Sequence, residues 1–203
     1  MLQLTSNKLF YRRYPYKLVV NNPALVTEYG YSYRDIEAEF SNVRTRYESQ
    51  RLSIFCLDAE TFDILLGKFK RCVLELYRPA SEQEAQYLTE SNTRVVLCDK
   101  LPHDLYRYKI YFLVDTPIST RKNLSAWLKN YVNRIHVSNG TKAWLAITTL
   151  RWSTRAPFIC VDDSNMASMI GLFMGDRVKY VERFVLRSSI NTVTNEEPQV
   201  CQP

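Results

Sequence analysis

Two aspartates close matching apolar runs: Asp58 in "IFCLDAETFDILLGKF" (54–69) and Asp162 in "FICVDDSNMASMIGLF" (158–173). One acid from each run could hold a metal or share general acid–base work. Each, however, ends a strand-like run and opens a helix-like one, where a carboxylate accepts the helix's free N–H groups. Capping is therefore the expected role of both. The two histidines, His103 and His136, have no Cys, Asp or Glu cluster beside them, and no two of the five cysteines are spaced C-x-x-C. No metal centre is expected. No G-x-x-x-x-G-K-[ST] phosphate loop and no His-x-His pair occur, and no local arrangement activates a Ser or Tyr nucleophile. The expectation is a protein without cofactor or catalytic residues.

What the chain does offer is positive charge among rings. The net charge is +6 and there are 14 Tyr residues, a balance that favours an anionic partner, nucleic acid first. "YRYKIYFLV" (106–114) has the aromatic and β-branched content of a strand. Alternation then sends Tyr108, Ile110 and Phe112 to one face and Arg107, Lys109 and Tyr111 to the other. "VKYVERFVL" (178–186) reads as a second strand, with Lys179, Val181 and Arg183 on one face. With the more apolar set against helices, Arg107, Lys109, Tyr111, Lys179 and Arg183 are expected on an open sheet face. Cations there pair with phosphates and rings stack on unpaired bases. "KLFYRRYPYK" (8–17) adds Arg12, Arg13 and Lys17 among further aromatics.

These strands belong to a pattern that occurs twice. "YPYKLVV" (14–20) returns as "YRYKIYF" (106–112), and the two runs that contain Asp58 and Asp162 pair Cys56 with Cys160, Gly67 with Gly171 and Phe69 with Phe173. Both echoes come in the same order, which points to a tandem duplication. In the second copy, an amphipathic helix carries Leu124, Trp127, Leu128, Tyr131, Val132 and Ile135 on one face, with Ser119 or Thr120 as its cap and "SNG" (138–140) as its end. Strands are expected at 142–152 and 158–162, a helix at 164–174 and the last strand at 178–186. The order βαββαβ is that of a ferredoxin-like fold. The first copy reads as strand 14–20, helix 32–48 (Ile36, Phe40, Val43 and Tyr47 on one face), strand 51–57, helix 59–69 and strand 71–77. It is thus one strand short. Tyr14 lies 42 residues before Cys56 and Tyr106 lies 54 before Cys160, a deficit of about one strand and its turn. "RVVLCDK" (94–100) is expected to fill the vacancy or to bridge the two sheets. The fold class is α+β: a first unit at 1–78, a connection at 79–103 with a short helix in 79–93, a second unit at 104–190 and a flexible tail at 191–203.

Three families share parts of this pattern. "MIGLFMGD" (169–176) resembles the LAGLIDADG motif of duplicated homing endonucleases, but a single strand pattern follows it and the matching "LLGKFK" lacks the acid. Tandem ferredoxin-like units are similar to those of CRISPR RNA-processing endoribonucleases, whose glycine-rich C-terminal loop has no counterpart in "INTVTNEEPQVCQP". The charged sheet face resembles that of RNA-recognition-motif domains, without the aromatic pattern of their third strand in "RAPFICVD" (155–162). The expected function is binding of single-stranded RNA or DNA, in a viral or phage replication setting suggested by small size and compact duplication. The rival is an assembly protein that self-associates, and a nuclease ranks below both. Free cysteines in apolar runs imply a reducing compartment such as the cytoplasm. No stretch is apolar enough for a membrane span, and no secretory signal opens the chain.

Overall fold

The computed structural model describes residues 1–146 and 156–192. They form a mixed α+β structure with two five-stranded sheets and eight helices. The chain divides into two compact units, with the boundary between Asn92 and Thr93 and residues 190–192 assigned to the first. That boundary falls inside the expected connection.

The first sheet holds β1 (Leu2–Thr5), β2 (Tyr16–Asn21), β3 (Val43–Glu48), β4 (Arg51–Cys56) and β5 (Val73–Arg78), in the order β1-β5-β2-β4-β3. β1 runs parallel to β5 and the other pairs are antiparallel. The helices are α1 (Asn22–Tyr29), α2 (Tyr33–Glu39), α3 (Ala59–Lys68) and α4 (Glu82–Glu90). Their starts follow from local chemistry. Asn21 accepts the Ala24 N–H at 3.1 Å, Ser32 and Asp35 form a reciprocal capping box, and Asp58 accepts the Thr61 N–H at 2.7 Å. Gly30, at φ 68°, takes the left-handed turn that ends α1. One sheet face, with Leu18, Val20, Leu52, Ile54 and Leu76, buries itself against Leu25 of α1, Ile36 of α2 and Phe62, Leu65 and Phe69 of α3.

The expectation of a missing strand in this unit is corrected. The helix foreseen over 32–48 stops at Glu39, and "VRTRYE" (43–48) is β3, paired along its length with β4. Val43, Thr45 and Tyr47 alternate with Arg44, Arg46 and Glu48, and Ser49 at φ 58° turns the hairpin. No vacancy exists for 94–100. Residues 94–98 form a strand that pairs with the last strand of the second sheet.

That second sheet holds β6 (Arg94–Cys98), β7 (Tyr108–Phe112), β8 (Ile135–Val137), β9 (Phe158–Val161) and β10 (Val178–Leu186), ordered β6-β10-β7-β9-β8. β6 is parallel to β10 and the rest are antiparallel. Its helices are α5 (Ile118–Leu128), α6 (Asn139–Ala146) and α7 (Ser164–Met174), while α8 (Arg187–Thr192) follows β10 and crosses the division between the units. Ile110, Phe112, Ile159 and Val161 pack against Leu124, Leu128, Met166, Ile170 and Met174. Several expectations change here. The long helix ends at Leu128, is preceded by Pro117 with no side-chain cap, and gives up Ile135 to β8. "SNG" begins α6 rather than ending a helix, so the strand foreseen over 142–152 is helical through Ala146; its remainder lies outside the described residues. Asp163, not Asp162, caps α7 through the Met166 N–H. The tail foreseen at 191–203 begins in α8, and 193–203 lie outside the described residues. The length difference between the units now has a physical origin. β3 reaches β4 through Ser49 and Gln50 alone, while α6 and the residues after it stand between β8 and β9.

Candidate nucleic-acid interface

Register fixes which side chains share the sheet faces away from the helices. In the first unit Lys17 stands opposite Phe55 and Tyr77, Phe55 opposite Arg44, and Ser53 opposite Arg46. The connector between β1 and β2 folds over this face. Phe10 and Tyr14 exchange two backbone hydrogen bonds of 2.8 and 2.9 Å, and Tyr11 and Arg12 between them are both left-handed (φ 50° and 60°). Phe10, Tyr11 and Tyr14 then gather around Phe55, with ring centroids 5.6, 4.9 and 6.3 Å away. Lys17 places its ammonium 5.0 Å from the Tyr77 ring and 5.7 Å from Phe10 and Phe55. The Arg44 guanidinium lies 4.1 Å from the Tyr11 centroid. The Tyr11 hydroxyl and the Glu48 carboxylate, 2.6 Å from Arg46 Nε, raise the Arg46 pKa. Arg12 and Arg13 are exposed, the latter 5.6 Å over Tyr14. The expected trio of Arg12, Arg13 and Lys17 is thus gathered on one side of the first sheet. Arg44 and Arg46 join it and were missed because their segment was read as helix.

The second sheet sorts the expected five differently. Lys109 and Tyr111 do face away from the helices, and the backbone of Arg107 continues their strand through hydrogen bonds to Val161 and Phe184. Lys109 lies 3.9 Å over the Phe158 ring and 5.0 Å from Tyr111. Arg183 is a correction: it pairs with Tyr108, and so shares the helix-side face with Val181. Lys179 falls at an irregularity of the same strand. Register jumps between Val178 and Tyr180, which makes Lys179 the extra residue of a β-bulge, with no partner on β7. The bulge turns Tyr180 and Glu182 onto the open face instead. Tyr111 donates to the Glu182 carboxylate at 3.0 Å and lies 4.4 Å from the Tyr180 ring, and Arg94 covers that ring at 3.7 Å. Burial, with the Glu182 charge second, pushes the Tyr111 hydroxyl pKa up. A carboxylate thus sits among the cations and the Tyr111 ring expected on this face, and no spacing rule for an unbroken strand reveals it.

The residues weighed for catalysis have structural partners. Asp162 pairs with Arg134 at 3.1 Å, and Asp163 pairs with the same guanidinium. Asp176, beside Arg177, is exposed. The His103 and His136 rings lie 4.0 Å apart, tilted by 32°, and burial followed by the His103 and Lys142 charges lowers the His136 pKa. Among the described residues no group of His, Cys, Asp or Glu could hold a metal ion, and no helix is long and apolar enough to cross a membrane. Cys56, Cys72, Cys98 and Cys160 are free thiols. No known protein family, curated protein or solved structure matches the chain.

Proposed function

We propose that the chain is a tandem duplication of a ferredoxin-like unit and that it binds single-stranded nucleic acid, chiefly on the open face of the first sheet. Several details support the duplication. Both sheets have the same strand order, with a first strand parallel to the last. Both break register on the last strand, at Leu74 and at Lys179. The connectors also correspond. Arg13 and Tyr14 donate to the Phe10 carbonyl as Leu105 and Tyr106 donate to that of Pro102, and left-handed Tyr11 and Arg12 correspond to left-handed His103 and Asp104.

The observation that carries the binding reading is Tyr11, a 42 % exposed ring held between Phe55 and Arg44 on a face that also bears Arg12, Arg13, Lys17 and Arg46. An exposed ring stacks on a base only when that base is unpaired, and the cations track the backbone beside it. Arg107, Lys109 and Tyr111 form a lesser surface on the second sheet, because Glu182 opposes a polyanion there; Arg183 lies off it. Fluorescence anisotropy of labelled single strands and duplexes across a salt series tests the proposal. Single strands should bind more tightly, with affinity falling steeply as salt rises, because counterions released into more concentrated salt gain less entropy. Absence of binding at low salt overturns it.

Self-association is the second reading, favoured by α7. That helix has no charged side chain and exposes Met169, Leu172 and Phe173, with Leu172 at 86 %. Such a patch is a protein contact in many soluble proteins, and light scattering against concentration tests it directly.

A further inference from the structure

The first unit contains a cleft of about 470 Å³ on the helix-covered side, at the carboxyl ends of parallel strands β1 and β5. Its walls include Thr5, Tyr16, Ala59, Arg78, Ser81 and Glu82. Its volume is that of a small-molecule site, and the carboxyl ends of parallel strands beside helix starts are where α/β proteins receive phosphates.

Three observations give the cleft its chemistry. First, Tyr16 is 7 % exposed, with its ring packed 5.3 Å from Phe62, and its hydroxyl has no hydrogen-bond partner among the described residues. Tyr16 lines the cleft, so a hydroxyl without a protein partner there is free to bond a ligand. Second, Arg78 packs on Phe62 at 5.9 Å and forms no ion pair among the described residues; neither does Glu82. A cation and an acid thus line one cleft without bonding each other. Third, α3 and α4 both begin at its wall. Their caps, Asp58 and Ser81, satisfy the N–H groups of Thr61 and Glu84. The first helical bonds come at Phe62 and Ala85, which leaves Ala59, Glu60, Glu82 and Gln83 with N–H groups to give.

A bare anion fits the donors but not Glu82. A phosphate attached to a sugar fits both. We propose that this cleft binds a sugar phosphomonoester: the phosphate accepts from Arg78, the Tyr16 hydroxyl and the N-termini of α3 and α4, and the sugar hydroxyls donate to Glu82. The bearer of that group is either a free nucleoside monophosphate or the 5′-phosphorylated end of a strand. The site does not involve the open sheet face, so it stands or falls apart from the binding reading above.

Isothermal titration of the full chain with AMP, adenosine and inorganic phosphate is the first test. AMP should bind, phosphate more weakly and adenosine not at all. Tyr16→Phe keeps the ring and its packing, and should weaken AMP roughly tenfold, the loss of one hydrogen bond to a charged group. Arg78→Gln should weaken it by at least that much, and Glu82→Gln should raise affinity for inorganic phosphate by removing a like charge. Anisotropy with one oligonucleotide bearing either a 5′-phosphate or a 5′-hydroxyl separates the sources. A preference for the phosphorylated end that Tyr16→Phe abolishes assigns the strand end; AMP binding without that preference assigns the free nucleotide. Adenosine binding as well as AMP, or folded Tyr16→Phe and Arg78→Gln proteins binding AMP like the parent, or no AMP binding together with no preference for the 5′-phosphate, overturns the proposal.

Discussion

Lys17 and Lys109 show what one residue type does at two matched places. Each follows a Tyr-x-Tyr and reaches an open sheet face, and each is held against rings. Cation–π contact of this kind is worth about 0.5–1 kcal/mol at exposed sites, so both lysines are partly committed before any phosphate arrives. Arg12, at the tip of its connector, is exposed. Arg12→Ala is therefore expected to lower the salt slope of nucleic-acid binding by about one contact, while Lys109→Ala, with Glu182 opposite, should change it less. Tyr11→Ala should cost about 1–3 kcal/mol of binding with the salt slope intact, and Tyr111→Ala less than that. Anisotropy titrations at four or five salt concentrations read both quantities. Equal effects from Lys109 and Arg12 would place the surface on both sheets.

The buried thiols make a second residue-scale case. Burial pushes Cys56 up to about 12 and Cys160 up to about 11 from an ordinary value of 9.0. The folded pKa lies above the unfolded one, so their stabilising contribution is complete below pH 9 and is lost as pH rises through the folded values. Stability measured by denaturant titration should fall between pH 9 and about 12, and Cys56→Ala should flatten that fall. An equally steep fall in the variant would point to Tyr16 and Tyr111, whose pKa values burial also raises.

At the scale of elements, the strands and helices with unambiguous periodicity were legible: β7, β9, β10 and α7 lie close to where alternation and three-four spacing put them. The failures share one cause, a short segment compatible with both periods. Ile36, Phe40, Val43 and Tyr47 fit a helix, yet Val43, Thr45 and Tyr47 also fit a strand, and pairing with β4 decides. The face of β10 failed through the bulge, which local sequence does not announce. Helix starts were more legible because capping is local. Asp58→Ala and Asp163→Ala should each lower stability by about 1 kcal/mol, measured by urea denaturation. Asp162→Ala, which loses only a partly exposed pair with Arg134, should do less. If Asp162→Ala proved the more damaging, the cap would be misassigned.

Across the whole molecule, the identity match between Cys56 and Cys160 misleads by one position. Cys56 pairs with Tyr16 and joins the first core, whereas Cys160 pairs with Lys109 on the opposite sheet face. The better correspondence sets Asp58 beside Asp163 as caps and Leu65 beside Ile170 as buried residues. The proposed duplication therefore rests on topology and connector geometry more than on the repeated letters that first suggested it. All five strands of the first sheet and the helices covering it come from residues before Thr93. Residues 1–92 expressed alone are expected to melt cooperatively with a mixed helix–strand circular dichroism spectrum. A featureless melt would mean that this unit depends on the rest of the chain.

The parallel first strands have a consequence for synthesis on the ribosome. Leu2 pairs with Glu75 and Thr5 with Arg78, just as Arg94 pairs with Glu182 and Cys98 with Leu186. In each unit the earliest stretch to emerge has its partner among the latest. Nascent β1 must stay unpaired until nearly the whole unit is outside the exit tunnel, and such distant pairings are the slow ones. Four residues long and largely exposed, β1 is short enough to wait without recruiting a neighbour through its bare edge. Completion of each sheet thus signals that nearly all of its unit has been translated.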